Sequence, residues 1–598
     1  MNKDKKEVDL SRRHFMGVAG GIVGASALAS MGLFSTSVQA NTPQIKEKDF
    51  TSHSHKVDVL VIGGGIAGVF AAKNAYDTGA TVAMVVKGRL GSSGLTPFGK
   101  GIFCFDKTKE KLSIDEYVAK ISASALNTNH DVFTKQTAEH SYARIQELKS
   151  WGFFDSPLYH DSFMVPMKAR NIPIYERIMI THLLKKNNHI MGAVGFSFDT
   201  QQIHTFLAKT VVLCTGSGGF KPNGFPMCDL THDGTIMAYK IGAKVTGKEW
   251  NDGHMASAKH PGDCYNGWHG QIEENPSLVG VDVHHDLGVD LNYSTYVLGG
   301  KKKTQSMPLA KTDSGKPSGP PGMMQQETVA GGPYVPKAFQ HQGMPPGEPP
   351  KQSVLTRIFG EDKPHSPPGM NGESIGGATA GMAIHKSEGL VPMNEEGLSN
   401  IPGLYAAGDA LGSRLAGGIY TQIGCSMAGS AVQGAIAGEA AGKASKKLAE
   451  PSFSATQLAK IKTELLAPLN RERGYSPSWV TQTLQGIMIP NFVLYIKKER
   501  MLQAALAYVE ELKEHFVPFM IASNLHELRL AHETENMVIT AEMKLRASLM
   551  RKESRCSHYR LDYPHMDNEN WQAWINLYQG EDGSMQLEKQ PFGQWPKA

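Results

Sequence analysis

The chain has 598 residues, 40% apolar and 20% charged, which fits a globular protein with a large core and two to four domains. Its formal charge of +4 is close to neutral for that length and leaves no footprint of a nucleic-acid partner.

The first 40 residues read as an address. Ser11-Arg12-Arg13-His14-Phe15-Met16 has the twin-arginine form, a mildly apolar Gly/Ala-rich run follows over 17–34, and Val38-Gln39-Ala40 suits signal-peptidase cleavage. A periplasmic location is therefore expected. No later segment approaches 18 continuous apolar residues, so no membrane span is expected once the signal is removed.

An apolar strand then leads through Val57-Asp-Val-Leu-Val-Ile-Gly-Gly-Gly-Ile-Ala-Gly68 into an alanine-rich helix, and a second strand is predicted at 81–86. Gly63 makes the tight turn, Gly65 lets backbone approach a pyrophosphate, and Gly68 lets helix and strand pack closely, with Ile66 and Ala67 between them. The helix N-terminus offers unpaired N–H groups to phosphates. A dinucleotide site is the reading. The acid expected about 20 residues on, to hold ribose hydroxyls, is replaced by Lys87. The twin-arginine route exports folded proteins, so a dinucleotide site behind it points to tightly held FAD rather than exchangeable NAD.

Strand and helix patterns alternate over roughly 55–245, with a second strand-to-glycine unit at Thr210-Val-Val-Leu-Cys-Thr-Gly-Ser-Gly-Gly-Phe220. Between about 300 and 372 the chain is rich in Pro, Gly and Met, as a loop-rich cap or lid would be. Glycine-rich α/β sequence returns at 401–441, and from Ala455 apolar residues recur at three- and four-residue spacing, predicting a helical C-terminal domain. The six cysteines form no Cys-x-x-Cys or haem-attachment motif, and the 282–286 pair of histidines and aspartates matches no metal-ligand spacing. No metal site is expected. Cys228 and Cys264 could pair or stay free.

Five landmarks in order now carry a family likeness: the glycine turn, Gly192-Ala-Val-Gly-Phe196 with Cys214-Thr-Gly-Ser-Gly-Gly219, Thr231-His-Asp-Gly-Thr-Ile-Met-Ala-Tyr-Lys-Ile-Gly-Ala243, Ile401-Pro-Gly-Leu-Tyr-Ala-Ala-Gly-Asp409, and Met550-Arg-Lys-Glu-Ser-Arg-Cys-Ser-His-Tyr-Arg560. Together they resemble the FAD-binding subunits of the fumarate reductase and succinate dehydrogenase family, which includes L-aspartate oxidase and adenylylsulfate reductase. The fold this implies is α/β. A Rossmann-like FAD-binding domain (41–245 and 373–446) is interrupted by a capping substrate domain (246–372) and followed by the helical domain (447–598).

The resemblance implies roles residue by residue. Lys87 matches a similar Ser-Lys-Gly in aspartate oxidases. Thr215, Gly216, Asp233 and Gly101 fall on cofactor-binding positions, Asp409 on the acid that holds the ribityl chain, and Ser426 with Met427 on the segment beside the isoalloxazine. The histidine that attaches FAD in respiratory members is replaced by Gly94, so FAD should be noncovalent. His254 matches the substrate-site histidine and Glu249 a nearby acid. Arg414, in Ser413-Arg-Leu-Ala-Gly-Gly418, matches an arginine that clamps a substrate carboxylate through charge-assisted hydrogen bonds. Two family parts are missing: a histidine where Gly372 stands, and the arginine motif that donates the proton, for which Arg357 is the nearest candidate. The run from Glu553 to Arg560 reads mainly as an ion-pair brace.

The expected activity is hydride transfer from reduced flavin to the activated C=C of a small unsaturated carboxylate, with His254 and Arg414 polarising it. An external c-type cytochrome or iron–sulfur protein would deliver electrons. Sulfur-oxyanion chemistry of the adenylylsulfate reductase type and a noncatalytic FAD relay remain the alternatives.

Overall fold

The structure is a computed structural model that describes residues 45–99, 101–110, 112–221, 230–253, 256–257, 374–375, 381–382, 386–418, 424–489, 491–494 and 496–596. The signal segment, His254, Cys228, Cys264, the 282–286 pair, Arg357 and Gly372 lie outside these residues.

Strand β1 (Thr51–Ile62) is exposed where it begins and buried from Val59 onward, the half that enters the core. It feeds through helix α1 (Ile66–Asp77) into the parallel strand β2 (Val82–Val86), every residue of which is buried. Near-continuous apolar runs of this kind belong to a sheet covered on both faces. On the β2 side, β3 (Ile174–Glu176) extends the sheet in parallel. On the other side β6 (Gln202–Leu213) pairs in parallel with β1 along its length. An antiparallel pair, β4 (Ile178–Lys186) and β5 (His189–Ser197), continues outward from β6. The order is β3-β2-β1-β6-β5-β4.

A later stretch of chain joins the same sheet, with β9 (Leu404–Ala406) pairing in parallel with β6. Helix α3 (Cys425–Ser445) then lies along α1, following α2 (Asp233–Lys240) in chain order. Small residues make that contact possible. A Cβ on Gly434 would stand 2.2 Å from the Ala67 carbonyl oxygen, and one on Gly438 would stand 2.2 Å from that of Ala71. The four-residue spacing of Gly434, Gly438 and Gly442 is therefore one flat helix face rather than a weakness in the helix.

The C-terminal helices α4 (Pro477–Met488), α5 (Glu499–His515) and α6 (Leu525–Met550) share a core that includes Leu484, Val509, Val538 and Leu545. Asn524 opens α6 by accepting the Glu527 N–H on its side-chain oxygen (2.9 Å). The chain does not stay helical to its end. Strands β10 (Ala573–Gln579) and β11 (Met585–Pro591) form a hairpin, and β10 also pairs with β7 (Val245–Thr246), which in turn pairs with β8 (Gly389–Leu390). The last residues thus return to the segment that leaves the first half of the FAD-binding domain. Among the described residues no helix is long and apolar enough to cross a membrane.

Candidate functional site

A cleft opens at the end of β1. Its walls include Gly63, Gly65, Ile66, Ala67, Lys87, Gly94, Thr215, Gly216, Asp233 and Asp409. Residues predicted from four distant stretches of sequence meet here. Gly63 has φ +117, and a Cβ there would lie 2.1 Å from the Cys214 carbonyl oxygen, so only glycine fits. A Cβ on Gly68 would lie 1.9 Å from the Gly63 carbonyl oxygen, which is the close helix–strand packing expected of it. Gly65 is extended and caps α1, where a Cβ would meet only the Thr96 hydroxyl at 3.2 Å. Thr96 also accepts the Ile66 N–H (3.3 Å), a first-turn contact that the glycine motif does not announce.

Lys87 does not offer a free charge to a second phosphate. Its ammonium donates to Thr231 (2.9 Å), Asp233 (2.7 Å) and Glu533 (2.9 Å). Burial pushes the Asp233 carboxyl up, but the Lys87 charge and hydrogen bonds from Lys87, Asn536 and Thr231 outweigh it and hold the group below its ordinary value. Glu533 and Asn536, three residues apart on α6, thereby tie the helical region to the cleft. Sequence reasoning missed both, because they look like an ordinary polar helix face.

Asp409 is buried and paired with Lys386 (2.7 Å), itself fully buried, and Ser426 donates to the same carboxylate (3.3 Å). Gly101 and Met427 are not among the residues lining the cleft, but their segments touch, with the Phe103 N–H donating to the Gly424 carbonyl (3.1 Å).

The lining suits a dinucleotide. The hydroxyls of Thr215 and Ser217 are buried in the cleft wall without a hydrogen-bond partner among the described residues, and a Cβ on Gly216 would meet nothing within 4 Å. These are polar groups and space that a ligand would use. The α1 N-terminus and the Gly63–Gly68 turn would hold the pyrophosphate, and Asp409 a sugar-chain hydroxyl. Gly94 also faces open space at the cleft, where a Cβ would touch nothing, and no histidine stands among the described lining residues.

A second, dry cluster lies where β7, β8 and α6 meet. Glu388 accepts from Lys248 (2.5 Å) on one oxygen and Lys544 (2.6 Å) on the other, with His232 Nδ1 at 3.1 Å, and all four are buried. Burial would raise the Glu388 pKa, yet Lys248, Lys544 and His232 hold it well below the carboxylate range. His232 occupies a left-handed conformation (φ +57) and is depressed to about 4, by burial first. Glu249 is fully buried and takes two hydrogen bonds from Arg551 (2.9 and 3.0 Å), which also pairs with Glu553 (2.8 Å). Arg555 pairs with Glu553 as well, and Arg560 with Asp562, so the run from Glu553 to Arg560 is a buried ion-pair brace in geometry.

Arg414 lies in the same charged interior but, like the buried Lys497, has no carboxylate partner among the described residues. It is 1% exposed. Its Nη2 donates to Thr246 (2.5 Å) and Asn576 (3.2 Å), and its guanidinium lies 4.1 Å from the Trp574 ring centre. Nε and Nη1 have no partner among the described residues. Burial pushes its pKa down to about 9, against the opposing charge of Glu249. A desolvated cation with spare donors is built to meet an anion.

Comparison with known proteins agrees with this geometry. Residues 58–161 match the model of an FAD binding domain, and residues 481–594 match that of the fumarate reductase flavoprotein C-terminus. The chain is 24% identical over 553 residues to an uncharacterized FAD-dependent oxidoreductase of Methanocaldococcus jannaschii, covering 87% of this chain and 96% of that protein. It is 24% identical over 569 residues to one subunit of the fumarate reductase (CoM/CoB) of Methanothermobacter marburgensis, covering 88% and 98%. In fold it is similar to an adenosine-5-phosphosulfate reductase solved in complex with sulfite, with a TM-score of 0.67 at 20% identity over 93% of this chain and 98% of that one.

Proposed function

Since the chain belongs to the FAD-binding flavoprotein family of fumarate reductases, succinate dehydrogenases, L-aspartate oxidases and adenylylsulfate reductases, and is an FAD-dependent oxidoreductase, we propose that it reduces a small unsaturated carboxylate. The single observation that carries this reading is Arg414, buried, unpaired by any described acid, and left with donors at Nε and Nη1. Bound FAD would supply the hydride to one carbon of the double bond, and a proton delivered from solvent to the other carbon would complete the reduction. Arg414 receives the carboxylate and draws electron density away from the double bond as negative charge develops. Gly63, Gly65, Thr215 and Asp409 hold the cofactor without a covalent link, in keeping with Gly94 at the attachment position. His254 is the second substrate contact in this reading.

Reducing equivalents come from a separate redox protein, a c-type cytochrome or an iron–sulfur protein. The cysteine spacing encodes neither group, and the Methanothermobacter relative is named as one subunit of its reductase. The twin-arginine segment supports a periplasmic reaction.

The test is anaerobic. The purified flavoprotein is reduced and its absorbance followed as fumarate, acrylates, urocanate, cinnamates and sulfur oxyanions are added singly. Rapid reoxidation by one unsaturated acid, lost in Arg414→Ala with FAD retained, supports the proposal. Reoxidation by a sulfur oxyanion alone, or by a cytochrome alone, overturns it in favour of sulfur chemistry or an electron relay. Full activity in Arg414→Ala removes that residue from the site.

A further inference from the structure

We infer that the C-terminal hairpin is part of the substrate site, with Trp574 and Asn576 acting as positioning residues that hold Arg414 in the orientation that meets a substrate anion. This rests on the reading of Arg414 as the anion contact. The two residues are two apart on β10, so their side chains project to the same face of the strand. One supports the guanidinium plane and the other fixes its edge. The Trp574 ring centre lies 4.1 Å from the guanidinium carbon, and the indole is itself locked by donating to the Thr128 carbonyl (2.7 Å).

Asn576 stands directly opposite Thr246 in the β10–β7 pairing, and both oxygens accept from Arg414 Nη2. Neither acceptor is free to turn away. The Thr246 hydroxyl donates its proton to the Ile575 carbonyl (2.9 Å), so its oxygen must face the arginine as an acceptor. The Asn576 amide donates to Gln590 on β11 (2.8 Å), which sets its carbonyl oxygen toward Nη2. Both acceptors are neutral, so they orient the cation without neutralising it. Nε and Nη1 keep their N–H groups for a ligand. His130 stacks on Trp574 with an interplanar angle of 7°, and burial and the Arg414 charge hold it neutral, with its pKa near 4. No second cation competes for the anion from that side.

The test exchanges neutral for charged at constant shape. Asn576→Asp places a carboxylate where Nη2 already donates, pairing Arg414 internally. Oxidised holoenzyme is titrated with fumarate and with acrylate, reading the flavin absorbance, and steady-state kinetics are run with whichever acid reoxidises the flavin. Asn576→Asp is expected to weaken anion binding and raise KM on the order of 10-fold or more, with kcat less affected and FAD retained. Trp574→Leu is expected to weaken binding about 2- to 30-fold, and Trp574→Phe, which keeps a ring under the cation, to recover most of that loss. Wild-type-like anion binding in Asn576→Asp would overturn the inference and leave the role of Arg414 standing. Silence of the wild-type flavin toward every carboxylate would remove both. Equal defects in Trp574→Leu and Trp574→Phe would also overturn it.

Discussion

Replacing Glu388 by glutamine keeps the shape of the side chain and removes the only charge by which it balances Lys248 and Lys544. Both ammonium groups lie within 2.6 Å of its oxygens, and neither lysine is more than 1% exposed. Removing one partner of a buried pair costs about 3–5 kcal/mol, because the other charge stays in a dry site. The loss has a ceiling. A lysine of ordinary pKa near 10.4 can instead shed its proton at pH 7 for about 4.6 kcal/mol, at about 1.36 kcal/mol per pH unit. Lys248 is the group to do so, since burial already lowers its pKa and the Lys544 charge adds to that, with Glu388 the counterweight. The expected destabilisation is therefore about 3 to 4.6 kcal/mol at pH 7, measured by urea unfolding of the holoenzyme.

Its pH dependence is the sharper check. In the wild type, the depressed Glu388 contributes stability that is present above its ordinary value of 4.5 and is lost as pH falls through the folded value. In Glu388→Gln, a lysine whose folded pKa is lowered binds fewer protons folded than unfolded, so stability rises with pH. The gap to wild type should shrink by up to about 1.4 kcal/mol per unit between pH 7 and pH 9. A gap below about 1 kcal/mol at pH 7, or one that does not change with pH, would refute the assignment of this cluster as a balanced ion network.

Two further outcomes bear on the cofactor. Gly63→Ala forces a Cβ to 2.1 Å from the Cys214 carbonyl oxygen at φ +117, so the purified protein should be colourless or should fail to fold, and normal flavin content would contradict the turn geometry. With Gly94 at the attachment position, acid precipitation should release all the flavin to the supernatant. Flavin fluorescence that stays with the denatured chain on a gel would contradict noncovalent binding.

What the sequence determined by itself was local or periodic. The glycine turn was legible because each glycine answers a steric demand within a few residues of chain, and the apolar strands because full burial makes them continuous apolar runs. The order of five landmarks pointed to the family, and motif alone marked Asp409, Thr215 and Asp233 as expected cofactor contacts, all three of which lie on the cleft wall. The C-terminal hairpin was missed. Ala573–Gln579 is mostly buried, yet Asn576 interrupts its apolar run, so it shows neither a continuous apolar stretch nor a strict alternation.

Tertiary structure alone decided which charges meet. Glu388 lies 140 residues from Lys248 and 156 from Lys544, and Lys87 lies 446 from Glu533. Nothing in the local sequence distinguishes a lysine that will be desolvated between carboxylates from one that will stay in water. Arg414 was named from its motif, but the motif could not say that Thr246 and Asn576 would hold one nitrogen and leave two unpaired. That balance depends on strands far apart in the chain, at Thr246 and Asn576, lying side by side, because hydrogen-bond geometry and burial are properties of neighbours in space.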